Sequence, residues 1–339
     1  LQKSTIFVIN NRSSQGNMND ISIVFMGTPE FAVASLQRIV ESGYRVPAVV
    51  TVPDKPAGRG LKIRQSAVKQ YALEHGIGVL QPDKLNDTGF LDELKNLGAN
   101  LFVVVAFRKL PEAVWSLPEL GCFNLHASLL PQYRGAAPIN HAVMNGETVT
   151  GVTTFFINEG IDTGKIIMRS ELPVGADETA GELHDRLKEA GAGLVLKTIE
   201  NIASNKCFPT EQPLRNEPLR TAPRIFREQC FINWDKTAQE VHNHIRGLSP
   251  YPGAISFLTG ETAGKEVKLL RSALTGEIAG TTPGYAKIVS DNRLFVACAD
   301  QYIEITTIQP AGKKVMQAGE FLRGLRVTGI AFKTPSEAV

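Results

Sequence analysis

Between residues 21 and 206, short continuous apolar runs alternate with stretches whose apolar residues recur at helical spacing. Residues 21–26 (ISIVFM) and 101–106 (LFVVVA) are too short for a core helix and too uniformly apolar for a strand with one wet face. Gly27-Thr28-Pro29 turns the chain after the first run. From Glu30, Val33, Leu36, Ile39 and Val40 then follow at helical spacing until Gly43. Residues 46–52 supply a second strand, and a third is expected near Val79. Helices are expected across 66–74, 90–97 and, as a long closing element, 178–201. Parallel strands need crossover connections, and helices between successive strands provide them. The expectation is therefore an α/β domain, with a doubly wound, mostly parallel sheet of Rossmann type over residues 20–206. The first turn, GTPEF, lacks the G-x-G-x-x-G spacing, so dinucleotide binding gains no support.

After residue 206 the pattern changes. Residues 207–223 (CFPTEQPLRNEPLRTAP) hold four prolines and no periodicity, and read as a linker. A short helix over 237–246 follows, then five brief strand-like runs at 254–257, 266–271, 285–289, 294–297 and 302–308. Short strands separated by turn residues suit a small barrel, so residues 224–335 are expected to form an OB-fold-like β-barrel. The first 19 residues read as a disordered leader, the remnant of an added or upstream segment. Cys122, Cys207, Cys230 and Cys298 lie far apart without a C-x-x-C pair, which points to reduced cytosolic thiols and no metal. No apolar run reaches the length of a membrane span. The formal net charge is +2, so a nucleic-acid partner would be met by local basic patches.

Chemistry gathers in CFNLHASLLPQYRGAAPI, residues 122–139. If residues 122–126 form a strand, Asn124 and His126 point to one face. They would then sit at a strand's carboxyl end, where open α/β sheets place their ligand crevices. An amide donor beside an imidazole can stabilise an oxyanion on a carbonyl carbon and manage a proton. On the pair alone, a turn-capping asparagine and a satisfied, half-buried histidine is the stronger reading. A second stretch, FFINEGIDTG (155–164), carries Asp162 between two glycines. An acid there could orient His126 or relay a proton, although on that stretch alone an Asx-turn aspartate is the stronger reading. No Ser or Cys sits in a nucleophile elbow, which leaves the attacking group to a substrate. His75, His184, His242 and His244 are read as structural or solvated, and His141 as only slightly more informative.

Together, NLHASLLPQYRGAAPI and EGIDTG resemble the folate-dependent formyltransferases, which move a formyl group from 10-formyltetrahydrofolate to an amine. The resemblance implies that Asn124, His126 and Asp162 are the catalytic set. It also implies that Ser128, Leu129, Leu130 and Pro131 contribute to the folate site, with Phe107 on one lip of the pterin pocket. VFMGTPEFAV (24–33), PDKPAGRG (53–60), IRGLSPYPGA (245–254) and PAGKKVM (310–316) resemble the branch of that family that acts on charged initiator tRNA. The acceptor it implies is the α-amine of methionyl-initiator tRNA, formylated for translation initiation by a cytoplasmic monomer. A small-metabolite formyltransferase or hydrolase and a non-catalytic RNA-binding module are the alternatives.

Residues 54–64 hold Lys55, Arg59, Lys62 and Arg64 against one acid, a composition suited to phosphate contact. The resemblance assigns tRNA recognition to that loop, through Arg59, and to Lys313 and Lys314 in a barrel turn. From Pro223 onward there are 14 Lys and Arg against 11 Asp and Glu, so barrel binding should be patchy and salt-sensitive. Two departures stand out. The segment 106–111 (AFRKLP) lacks a glycine the family often shows, and Arg224 stands where the family has a lysine.

Overall fold

The computed structural model describes residues 20–57, 62–213, 218–259, 264–324 and 330–333. The expected leader, Arg59 and the side chain of Lys62 lie outside that description.

The first half is built from β1 (Ser22–Gly27), α1 (Glu30–Glu41), β2 (Arg45–Val50), a hairpin of β3 (Lys55–Ala57) and β4 (Lys62–Arg64), α2 (Ala67–Glu74), β5 (Gly78–Leu80), α3 (Thr88–Asn96), β6 (Leu101–Val105) and α4 (Glu112–Trp115). It continues with β7 (Cys122–His126), β8 (Arg134–Gly135), α5 (Pro138–Met144), β9 (Val149–Phe156), β10 (Ile166–Pro173) and the long α6 (Ala180–Ala203). Seven strands form one sheet in the order β10-β9-β7-β6-β1-β2-β5. Strands β5, β2, β1, β6 and β7 run parallel; at one edge β9 runs antiparallel to β7, and β10 antiparallel to β9.

Strand β1 shows why this half is doubly wound. Ile23 and Phe25 pack on one face with Leu36 and Ile39 of α1 and with Leu187 and Val195 of α6. Val24 and Met26 pack on the other with Phe90 and Leu94 of α3 and Val114 of α4. With both faces covered, all six residues of β1 are buried, which is why the run shows no polar alternation. Helix α6 starts from a capping box, in which Thr179 and Glu182 bond to each other's backbone N–H.

The second half contains β11 (Thr221–Ala222), α7 (Ala238–Gly247), β12 (Ala254–Leu258), β13 (Glu266–Ile278), β14 (Tyr285–Val289), β15 (Arg293–Ala297), β16 (Gln301–Pro310), β17 (Met316–Gln317), α8 (Ala318–Arg323) and β18 (Ile330–Lys333). Strands β13, β12, β18, β14, β15 and β16 pair in ring order, and a β13–β16 pairing closes the barrel. The OB-like barrel is thus present with one strand more than the sequence suggests. Ile330–Lys333 inserts between β12 and β14. Strand β13 also runs 13 residues, well past residue 271, and register shifts along its pairing with β16 let it bend around the barrel.

The halves meet at close range. A Cβ on Gly247 of α7 would fall 2.4 Å from Met144 of α5, and one on Gly181 of α6 would fall 2.4 Å from Pro250. Arg246 is buried and donates to the carbonyls of Gly175 (3.2 Å) and Glu178 (3.0 Å) and to Asn243 Oδ1 (2.9 Å). His242 is also buried there. Its Nε2–H donates to the Ala176 carbonyl at 3.2 Å, and its Nδ1 meets the Ser272 hydroxyl.

Burial lowers the pKa of His242; the nearby Arg246 acts the same way, and the Ala176 carbonyl and Asp177 only partly oppose it. An unfolded histidine binds a proton near pH 6.5, and the folded one resists it. Stability is therefore lost as pH falls below that value and recovered above it. Resistance of wild type to urea unfolding should fall between pH 7.5 and 5.5, and His242→Asn should flatten that slope. The variant should start about 1 kcal/mol less stable at pH 7.5, because the lost imidazole bonds are only partly replaced.

Candidate active site

The sheet's switch point lies at β1, whose neighbours β2 and β6 continue the chain in opposite directions. A cavity of about 700 Å³ opens beside it, at the carboxyl ends of β1, β6 and β7. Pro29 and Phe31 after β1, residues 106–110 after β6, and Asn124, His126 and Asp162 all line it. Its volume and largely apolar lining suit a flat organic ligand held by a few polar groups.

Strand β7 sets Asn124 and His126 on one face because side chains alternate. Between them Leu125 points to the opposite face, against Gly191 of α6, where a Cβ would fall 2.7 Å from a Leu125 methyl carbon. That close approach seats the strand on its helix. The Asn124 backbone is paired within the sheet, but its side-chain Oδ1 is buried with no hydrogen-bond partner among the described residues. Such an atom costs about 1–3 kcal/mol, so the amide is held ready at the expense of stability.

His126 is buried and its Nε2 lies 2.8 Å from the Tyr133 carbonyl. A carbonyl only accepts, so the proton on Nε2 is fixed there and Nδ1 is left for other chemistry. Nδ1 faces Asp162 Oδ2 at 3.8 Å. Asp162 itself sits at φ +53°, in the left-handed region, and its Oδ2 accepts the Gly135 N–H at 2.9 Å. Around it, Asn158 Oδ1 accepts from the Gly160 N–H and the Thr163 hydroxyl, which closes the loop on itself.

The structure separates the other expected residues. Phe107 lines the cavity, and the Arg108 guanidinium stands 5.5 Å from its ring centroid. Arg108 is anchored on the Pro82 and Asp83 carbonyls. In the same segment Ala106 carries a φ of +48°. Ser128, Leu129, Leu130 and Pro131 are not on the cavity lining. The Ser128 hydroxyl donates to the Gln132 carbonyl, and the Thr153 hydroxyl braces both Ser128 and Leu130 from β9. Leu130 packs on Phe155 and Ile166, Leu129 lies close to Gly151, and Pro131 is buried. This turn shapes the wall from behind. Lys55 is exposed on β3, and Lys313 and Lys314 are exposed in the turn after β16. His184, read as structural or solvated, is partly exposed on the cavity rim with its ring 5.1 Å from that of Phe31.

The backbone of Tyr133, the N–H of Gly135 and the side chain of Gln212 are contributors that sequence reasoning passed over. Gln212 belongs to the proline-rich stretch, whose described residues touch the site at two places. The Ile166 and Thr210 backbones pair, Thr221–Ala222 pairs with Arg134–Gly135, and the Tyr133 N–H donates to the Arg220 carbonyl at 2.7 Å.

Comparison with known proteins identifies the family. Residues 21–199 match the formyl transferase family and residues 224–326 match the formyl transferase C-terminal domain. This chain belongs to the formyl transferase family. A methionyl-tRNA formyltransferase of Bacteroides fragilis is 48% identical over 93% of this chain and 98% of its own length. One from Flavobacterium johnsoniae is 48% identical over 91% of this chain and 97% of its own. One from Azobacteroides pseudotrichonymphae is 50% identical over 89% and 95%. Among solved structures, WlaRD, a sugar 3N-formyl transferase, superposes with a TM-score of 0.63 at 24% identity, covering 88% of this chain and 100% of that one. The N-formyltransferase of Helicobacter canadensis gives 0.62 at 23% identity, over 86% and 99%. Those two likenesses establish the fold.

In this formyl transferase the Asp162 loop has little slack, since a Cβ on Gly164 would fall 1.6 Å from the Phe156 carbonyl oxygen. Gly164→Ala must therefore displace the loop. An on-the-order-of 10- to 100-fold fall in kcat for formyl transfer is expected, as for other small misplacements of reacting groups. Gly193→Ala, in open space on α6, is the control and should leave kcat unchanged.

Proposed function

We propose that this chain transfers a formyl group from 10-formyltetrahydrofolate to the α-amine of methionyl-initiator tRNA, with Asn124, His126 and Asp162 as its catalytic residues. The observation that carries this reading is the meeting of an amide with an unpartnered oxygen, a tautomer-fixed imidazole and a half-buried carboxylate on one cavity at the switch point. The acceptor is supported by relatives named methionyl-tRNA formyltransferase that align along both halves of the chain.

The chemistry follows from the groups present. A free α-amine, with a reference pKa of about 7.7 to 8.0, is partly unprotonated near neutrality and needs modest help to attack. As its nitrogen bonds to the formyl carbon, charge grows on the formyl oxygen, and the Asn124 amide donates to that oxygen. The amine loses one proton, and the departing folate nitrogen gains one. His126 Nδ1 and Asp162 face each other across 3.8 Å and can hold that proton in transit, while Nε2–H stays on the Tyr133 carbonyl. The folate donor is a co-substrate; its pterin end fits the apolar cavity beside Phe107, with Ser128, Leu129, Leu130 and Pro131 supporting that wall from behind. On the tRNA side we assign Lys55, Arg59, Lys62, Lys313 and Lys314 to phosphate contact. We place the activity in the cytoplasm, with one chain supplying every assigned site residue.

The test is formyl transfer onto charged initiator tRNA, charged elongator tRNA and an amino sugar. Initiator tRNA should be the preferred acceptor, and an amino sugar formylated in its place would sink the assignment. Asn124→Ala should lower kcat by about 100- to 1,000-fold, the loss expected for one oxyanion donor. Lys313→Ala with Lys314→Ala should raise KM for tRNA and leave kcat at saturation intact. It should also flatten the salt dependence of binding by about 1 to 2 logarithmic units of slope, about one for each phosphate no longer neutralised.

A further inference from the structure

Residues 210–213 cross the outside of the site. Thr210, Glu211 and Pro213 are exposed, whereas the Gln212 side chain turns inward and uses both ends of its amide. Its Nε2 donates to the Asp162 carbonyl at 2.8 Å and to the Gly164 carbonyl at 2.9 Å. Its Oε1 accepts from Arg134, at 3.2 Å from Nε and 2.6 Å from a terminal nitrogen. Both amide hydrogens are used, and the carbonyl end is doubly occupied.

The partners matter more than their number. Asp162 and Gly164 flank the turn where Asp162 holds φ +53°. Arg134 precedes Gly135, whose N–H holds the Asp162 carboxylate from the opposite side. One side chain therefore ties the loop that carries the carboxylate to the strand that receives it. The same stretch sets the other half of the pair. Arg220 gives its carbonyl to the Tyr133 N–H and its guanidinium to the Tyr133 hydroxyl and Glu147, and the Tyr133 carbonyl fixes His126.

We infer that Gln212 is a positioning residue for Asp162, so that the segment joining the two domains sets the distance between the carboxylate and His126. The inference rests on the assignment of Asp162 and His126 to proton handling. Gln212 touches no reacting atom and acts through the Asp162 backbone. A backbone turn in the left-handed region returns to ordinary conformations unless its surroundings hold it. Without the amide, the carboxylate should drift from its place opposite Nδ1.

The experiment uses the full chain with Gln212→Ala and Gln212→Glu. The second is isosteric and still accepts from Arg134, but a carboxylate cannot donate to the two carbonyls. Both variants should lose about 10- to 100-fold in kcat, with KM for the folate donor and for tRNA changed less than about threefold. The NMR chemical shifts of the His126 ring should move in both, since the carboxylate facing Nδ1 has moved, and those of the His242 ring should not. Unchanged kcat, a fall in kcat with unmoved His126 signals, or loss of the fold in both variants overturns the inference. A wild-type chain that transfers no formyl group overturns the reading of function instead, and the His126 signals still report whether Gln212 holds Asp162.

Discussion

The hydrogen bond from the Gly135 N–H to Asp162 Oδ2, 2.9 Å long, joins two irregular segments that the sheet does not itself hold together. Asp162 occupies a backbone region that costs a side-chain-bearing residue about 1–2 kcal/mol, and it keeps that conformation only because its surroundings over-determine it. Gly135, at φ +129°, belongs to a strand of two residues whose partner is Thr221–Ala222. A Cβ at Gly135 would fall 2.4 Å from the Ala222 carbonyl oxygen, so glycine is what allows the linker to approach. The carboxylate is thus placed by a chain of short contacts that starts outside the sheet.

His126 depends on the same region by a different route. Its strand, β7, is held by β6 and β9 and by the contact of Leu125 with Gly191, so the Cα position is set by regular structure. Ring orientation is another matter. The Tyr133 carbonyl fixes it, and Tyr133 adopts φ +60° while bonded to Arg220. Regular elements bring the functional groups to one end of the sheet, and irregular backbone aims them.

That division explains what could be read from the chain. ISIVFM and LFVVVA announced buried parallel strands because both faces are covered, and the Thr179–Glu182 box marks the helix start. Alternation along β7 put Asn124 and His126 on one face. The barrel was legible as a set of short strands, but β18 was not, since its membership depends on pairing with β12 and β14 far back in the sequence. Gln212 was illegible for a further reason. Its partners are two carbonyls and a guanidinium distant in sequence, and a proline-rich stretch without periodicity gives no sign of which side chain turns inward. SLLP marks the region of the cavity but not its role there, because a turn that supports a wall is recorded in sequence in the same way as one that lines it.

The domain interface repeats this use of directional contacts. Apolar burial alone is non-directional and would tolerate sliding of α7 over α5. Gly247 lets Met144 approach without a side chain between them, and the Asn140 amide donates to the Gly247 carbonyl at 2.8 Å, which fixes position along the helix. Buried Arg246 then points its planar donors at two carbonyls of the Gly175–Glu178 turn and at Asn243, which fixes rotation. Burying a guanidinium is costly unless those bonds form, so a rotated interface would lose them and keep the desolvation. The strap that reaches Asp162 and Tyr133 is anchored at its far end to this interface, where His141 Nε2–H meets the Pro223 carbonyl at 3.0 Å. A linker that contacts the Asp162 loop and the Tyr133 backbone holds them in place only if both of its ends are fixed, and the polar interface supplies the second one.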